Sequence, residues 1–304
     1  MKRLIVPITA AVLMTSGMAQ KIRNPFLGRW DITVTTARDS YPDWLELTEK
    51  DGKLDAFVQP RAGGASHHSE VHVDGNRLTL IMGQASWELT SQGDRFTGTI
   101  SRTGNLVGKL EGVRAPKLDR PMPKAWTDPE PIFNGKDLTG WEPVGTTAKN
   151  HWVVKDGDLL NEAGGANLRS TRTFNDFKLH AEFNCPDNGN SGIYLRGRYE
   201  VQVEYVPAGT EDKYHSMGAV YSFVPVTKDL PRTPGKWESF DITLVGRRVT
   251  IVRNGVMVID NQEISGPTGG ALDSHEAEPG PFYIQGDHTG GMRYRNMTIS
   301  VPKS

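Results

Sequence analysis

The chain of 304 residues contains one cysteine, Cys185. No internal disulfide can form, so packing alone must hold the fold. As a nucleophile Cys185 has no sequence neighbour that would lower its pKa, and a lone buried thiol is the commoner state. Net charge is also scarce. Thirty-five Lys and Arg face 36 Asp and Glu, for a balance of -1, which excludes the electrostatic footprint of a nucleic-acid or anionic-membrane binder. Phosphate cradles are missing too. Gly63-Gly64, Gly164-Gly165, Gly269-Gly270 and Gly290-Gly291 neither follow a strand nor open a helix, and there is no G-x-G-x-x-G or Walker pattern. No internal repeat signals a propeller or solenoid, and no helical periodicity outlasts a turn or two.

Only one long hydrophobic run exists, from Leu4 to Met14 behind Lys2 and Arg3. It is shorter than the roughly 20 residues a spanning helix needs. Small residues at Gly17 and Ala19 follow it, so residues 1–19 read as a secretory signal peptide cleaved near Ala19, with a short membrane anchor as the alternative. No cysteine follows to accept a lipid. The expectation is a secreted or periplasmic bacterial protein without membrane insertion and without a nucleic-acid partner.

What is present is β structure. Residues 20–115 hold short alternating runs such as Leu27–Val34, Trp44–Leu47, Lys53–Val58, Arg77–Ile81 and Phe96–Ile100, separated by Gly, Asp and Asn. These predict a small antiparallel β domain. Residues 116–130 carry Pro116, Pro121, Pro123 and Pro129, which remove backbone donors and favour an extended, semi-rigid linker. Residues 131–304 return to strands: Phe177–Phe183 and Trp237–Val245 alternate cleanly, and Asn254-Gly255 is a strong type I′ hairpin signal. So many antiparallel strands call for two packed sheets, and the fold class predicted is all-β, a jelly-roll sandwich preceded by the small β domain.

One strand stands out. In Tyr199-Glu-Val-Gln-Val-Glu-Tyr205 the residues Glu200, Gln202 and Glu204 share a face opposite aromatic and β-branched residues. Two carboxylates and an amide, with Arg196 just upstream, can grip the hydroxyls of a sugar through directed hydrogen bonds. The alternative is an exposed strand whose charges are merely solvated. Register stays open as well: a two-residue loop Gly197-Arg198 would put Arg196 on the face opposite Glu200, and a three-residue loop or a bulge would reverse that parity.

Four stretches in order, Phe133–Trp141, Asn190–Gln202, Gly235–Ile242 and Gly280–His288 with Arg293–Asn296, resemble the 3-keto-disaccharide hydrolase family. The resemblance covers roughly residues 131–302. It implies a concanavalin A-like jelly roll acting on glycosides already oxidised at C3 of the sugar. One departure is visible: Gly286 separates Gln285 from Asp287, where the family more often has glutamine, aspartate and histidine in succession.

A ketone at C3 acidifies the hydrogen at C2, so a base can remove it, the enolate can expel the C1 substituent, and water can add afterwards. Glu200 and His288 are the candidate proton-transfer residues. Arg196, Gln202, His215, Asp287 and Arg293 are candidates for holding the substrate, with either arginine, or a divalent cation left open, steadying the enolate. His67, His68 and His72 are weak metal candidates, since such sites need three or four converging ligands. Two rivals remain. An ordinary endo-glucanase-like hydrolase would use Glu200 and Glu204, but about 3.3 Å per strand residue sets them about 13 Å apart at the backbone, far for retaining chemistry. A non-catalytic sugar-binding module would use the same face for affinity alone.

Overall fold

The structure is a computed structural model and describes residues 24–145, 147–206, 209–210 and 212–303. The signal peptide expected at 1–19 lies outside the described residues. No helix among them is long and apolar enough to cross a membrane.

Nine strands form one antiparallel sheet: β1 Gly28–Thr36, β2 Ser40–Lys50, β3 Lys53–Gln59, β4 Ser66–His68, β5 Val71–Asp74, β6 Arg77–Met82, β7 Ala85–Ser91, β8 Arg95–Arg102 and β9 Asn105–Arg114. Their order is β4-β3-β2-β1-β9-β8-β7-β6-β5. The two edge strands, β4 and β5, are joined by Ser69-Glu70 alone, so the sheet is rolled until its edges lie beside each other. Alternation fills the inside: Trp30, Ile32 and Val34 of β1 pack with Leu45, Leu47, Trp87, Phe96 and Leu110.

Thirteen further strands follow: β10 Glu130–Pro131, β11 Trp141–Pro143, β12 Trp152–Lys155, β13 Asp158–Asn161, β14 Leu168–Phe174, β15 Phe177–Asn184, β16 Asn190–Leu195, β17 Tyr199–Glu204, β18 Trp237–Val245, β19 Arg248–Arg253, β20 Val256–Glu263, β21 Gly280–Ile284 and β22 Met292–Ser300. They make two sheets, β12-β13-β22-β15-β18-β19-β20 with β10 on β22, and β11-β14-β21-β16-β17. The sheets face each other as an all-β jelly-roll sandwich. Phe177, Leu179, Ala181 and Phe183 of β15 and Phe240, Ile242 and Leu244 of β18 share one core with Ile193, Leu195, Tyr199, Val201 and Val203 of the β16–β17 hairpin. Asn254 and Gly255 both adopt positive φ, 50° and 77°, as the tight turn between β19 and β20 requires.

The proline-rich stretch between the two units lies along the sandwich. Leu118 is buried, Thr127 N donates to Val301 O at 2.8 Å and Lys303 N to Ala125 O at 3.0 Å. The units also touch directly. Trp44 meets Phe223 edge to face at 5.4 Å, Thr33 and Ser274 share a hydroxyl hydrogen bond of 2.8 Å, and Arg29 pairs with Glu263.

Candidate active site

The register between β16 and β17 decides what faces solvent. Leu195 pairs with Tyr199, so the connection is the three-residue loop Arg196-Gly197-Arg198, with φ of 54° and 68° at its first two positions. Tyr194 then stands opposite Glu200, Gly192 opposite Gln202 and Asn190 opposite Glu204. These residues share one face, and Val201 and Val203 point into the core. On the other side of β16, Tyr194 pairs with Tyr283 of β21, and Gln285 N donates to Gly192 O at 3.0 Å. Beyond β17, Gln202 N donates to Ala219 O, and Tyr221 N to Glu200 O. Between these elements lies a groove of roughly 470 Å³. Asn190, Tyr194, Glu200, Gln202 and Glu204 line it from the hairpin, Asp212, His215 and Tyr221 from the segment after β17, and Gln285, Asp287 and His288 from beyond β21.

Glu200 is only 3% exposed, and burial pushes its carboxyl up to about 8. At neutral pH most of it carries a proton, which can be shared with the Tyr194 hydroxyl. That hydroxyl in turn donates a hydrogen bond to Gly269 O at 2.8 Å. The carboxyl has room because Gly192 has no side chain: a Cβ there would lie 2.2 Å from Glu200 Oε1. Gln202 Nε2 donates to Glu204 Oε2 at 2.8 Å, and burial raises Glu204 above the ordinary carboxylate range as well. His215 is tied to Asp212 through Nδ1 at 3.0 Å and meets the Tyr221 ring edge to face at 4.8 Å. His288 Nδ1 lies 3.5 Å from Asp287 Oδ1. Because β21 ends at Ile284, the alternation of a strand does not apply to Asp287 and His288, and both reach the groove.

Five of the seven residues proposed from sequence therefore come together here: Glu200, Gln202, His215, Asp287 and His288. Arg196 does not. Its positive φ turns it inward, where it is fully buried and donates to the Tyr199 hydroxyl and to Gly246 O, each at 2.9 Å. Arg293 does not either, because β22 belongs to the other sheet and its guanidinium pairs with Asp158 at 3.1 Å. Among the described residues no arginine or lysine lines the groove. Gly286, the extra residue beside Gln285, fits a spot that only glycine can fill, since a Cβ would lie 2.6 Å from Trp152 Nε1 and 2.7 Å from Ala166 O. Gln285 keeps its place as a result, and its Oε1 is buried without a hydrogen-bond partner. Cys185 is buried, with its thiol pushed up to about 12 by desolvation, as suits a core residue. Among the described residues no three His, Cys, Asp or Glu side chains converge as metal ligands.

A family profile described as a 3-keto-alpha-glucoside-1,2-lyase-like domain matches residues 128–300. The chain belongs to this family. The protein is thus a carbohydrate-active, glycosyl-hydrolase-like one. No match was found among curated proteins. Among solved structures it is similar to two proteins of Parabacteroides distasonis provisionally named glycosyl hydrolases. One is 28% identical over 60% of this chain and 92% of that one, with a TM-score of 0.49. The other is 20% identical over 56% and 92%, with a TM-score of 0.47. A carbohydrate-binding module of Bacillus subtilis is 16% identical over 56% and 99%, at 0.34. Within this family member, sequence reasoning missed Asn190, Tyr194, Tyr221 and the Ala62-Gly63 edge contributed by the N-terminal sheet. Alternation along β16 could have found the first two. The others come from pairings distant in sequence.

Proposed function

We propose that this protein, secreted or periplasmic, cleaves glycosides that carry a ketone at C3 of the sugar. The carrying observation is Glu200: a buried carboxyl at the base of a groove lined by neutral and acidic hydrogen-bonding groups, with a pKa of about 8 that puts both protonation states within reach of working pH. Glu200 takes the proton from C2. The electron pair left behind forms the enolate across C2 and C3, then the C1–C2 double bond as the C1–O bond breaks. His288, oriented beside Asp287, gives a proton to the departing oxygen. Water then adds at C1 and the proton returns to C2, so hydrolysis balances as two half-reactions.

Because no arginine among the described residues lines the groove, the developing enolate charge falls to neutral donors, the Tyr221 hydroxyl and the Gln202 amide. Gln285 Oε1, buried without a partner, suits a substrate hydroxyl. The test pairs a glycoside with its 3-keto counterpart, deuterated at C2. Cleavage of the keto compound alone, with a slowed rate or loss of deuterium to solvent, supports the elimination. Equal cleavage of both without exchange returns Glu200 and Glu204 to an ordinary hydrolase, and binding without turnover makes the groove a sugar-binding module.

A further inference from the structure

His215 and Asp212 do not serve the groove alone. Both residues also line a second cleft of roughly 490 Å³, whose other walls come from two different sheets: Phe57 and His67 from the N-terminal one, Tyr214 and Phe223 from the sandwich. The register of β3 and β4 sets Phe57 directly opposite His67. Their rings stack at 4.4 Å and 19°, and His67 Nδ1 is held by Asp55 at 2.6 Å. An exposed imidazole pinned flat in this way is a platform, because both its tilt and its position are fixed before anything binds. Phe57 is in turn set edge to face against Phe223 at 5.8 Å.

The chain between β3 and β4 is built to stay against the groove. Gln59, itself buried, donates from Nε2 to Pro60 O at 2.7 Å and to Gly63 O at 2.8 Å, which curls the loop. Gly270 N donates to Arg61 O at 2.8 Å, fastening the loop to the sandwich. Gly64 approaches so closely that a Cβ would lie 2.7 Å from Ser222 Oγ and 3.5 Å from His215 Nε2. Ala62 and Gly63 thereby border the groove itself.

We propose that the cleft between Phe57, His67, Tyr214 and Phe223 is the subsite for the leaving group of the substrate, so that the N-terminal sheet forms part of the binding site. This rests on the proposed cleavage of 3-keto-glycosides. The chemistry selects a leaving group with a flat apolar face, which an aryl ring and the C–H face of a second sugar both offer. The shared His215 and Asp212 place it beside the groove that would hold the reacting sugar.

The experiment compares methyl, 4-nitrophenyl and glucosyl 3-keto-glucosides on the full chain and on His67→Ala and Tyr214→Ala, with melting temperatures to confirm folding. Turnover and calorimetric binding are both measured. The expected result is a preference for the two large leaving groups, expressed in KM, that falls about 3- to 10-fold in each variant, which is the scale of one lost ring contact. The aryl and glucosyl arms separate the two chemistries. If cleavage proceeds and the ratio between large and small leaving groups is the same in wild type and both variants, the subsite falls and the reaction stands. If nothing is cleaved yet binding still favours the large compounds through His67 and Tyr214, the subsite stands and the reaction falls. Absence of both binding and turnover overturns the two together.

Discussion

The β16–β17 hairpin holds two buried polar clusters a few residues apart, and they differ in what they face. At the loop, Arg196 bonds to Tyr199 and Gly246 O, and Tyr199 donates to Glu276 Oε1 at 2.5 Å, with Arg247 3.7 Å from the same oxygen. Burial and the Glu276 carboxylate raise the Asp31 carboxyl of β1, which reaches this cluster from the N-terminal sheet. Arg196, Tyr199, Glu276 and Asp31 line no part of the groove, and Arg196 Nε, Glu276 Oε2 and Asp31 Oδ1 are buried there without a hydrogen-bond partner. Along the strand, Glu200, Gln202, Gln285 and Tyr221 face a groove, and Gln285 Oε1 has no protein partner. The lesson is that burial of a charged residue does not mark function. Access to an open groove does.

Substitutions should separate the two clusters. The largest effect belongs to the groove: Glu200→Gln and His288→Ala should each lower kcat/KM on a 3-keto-glycoside by about 10²- to 10⁴-fold while the protein remains folded. With Glu200 as base, the wild-type kcat/KM should rise with pH and level off near pH 8, a limb that Glu200→Gln removes. A pH profile of initial rates checks both. Arg196→Met, by contrast, strips charged hydrogen bonds from a closed interior, and chemical denaturation should show a loss of about 3–5 kcal/mol.

A third expectation concerns pH and stability. Burial raises Glu200 and Asp43 each to about 8, far above an unfolded carboxyl. The folded protein keeps protons that the unfolded chain has released, so their contribution is full at acid pH and fades as pH climbs through about 8. Denaturation midpoints should decline between pH 5 and 9, by on the order of a few kcal/mol in total, and Asp43→Asn should flatten the slope without touching catalysis. The smallest effect is at Gln285. Replacing it by leucine removes one neutral hydrogen bond to substrate, so KM should rise about 3- to 10-fold with kcat nearly unchanged.

Much of this was readable from residue order. Alternation in Phe177–Phe183 and Trp237–Val245 gave the core strands, Asn254-Gly255 marked a turn that adopts the expected backbone, and period two along β17 put Glu200, Gln202 and Glu204 on the groove. Arg196 misled because an arginine beside a polar strand reads as a ligand for anions, and nothing local announces a positive φ that sends it inward. Arg293 misled because a motif gives no hint of which sheet carries it. The place of Gly63 and Gly64 beside His215 depends on two units meeting, which no local pattern encodes.

At the level of the gene, the strict pairing of β16 with β17 makes the site sensitive to length in a way that point substitutions do not reveal. An in-frame loss of the Tyr199 codon would slide the rest of β17 by one position against β16. Val201 and Val203 would then face the groove, and two carboxyls and an amide would be driven into the space between the sheets. Variants of this chain can thus exchange residues along the hairpin far more freely than they can gain or lose one.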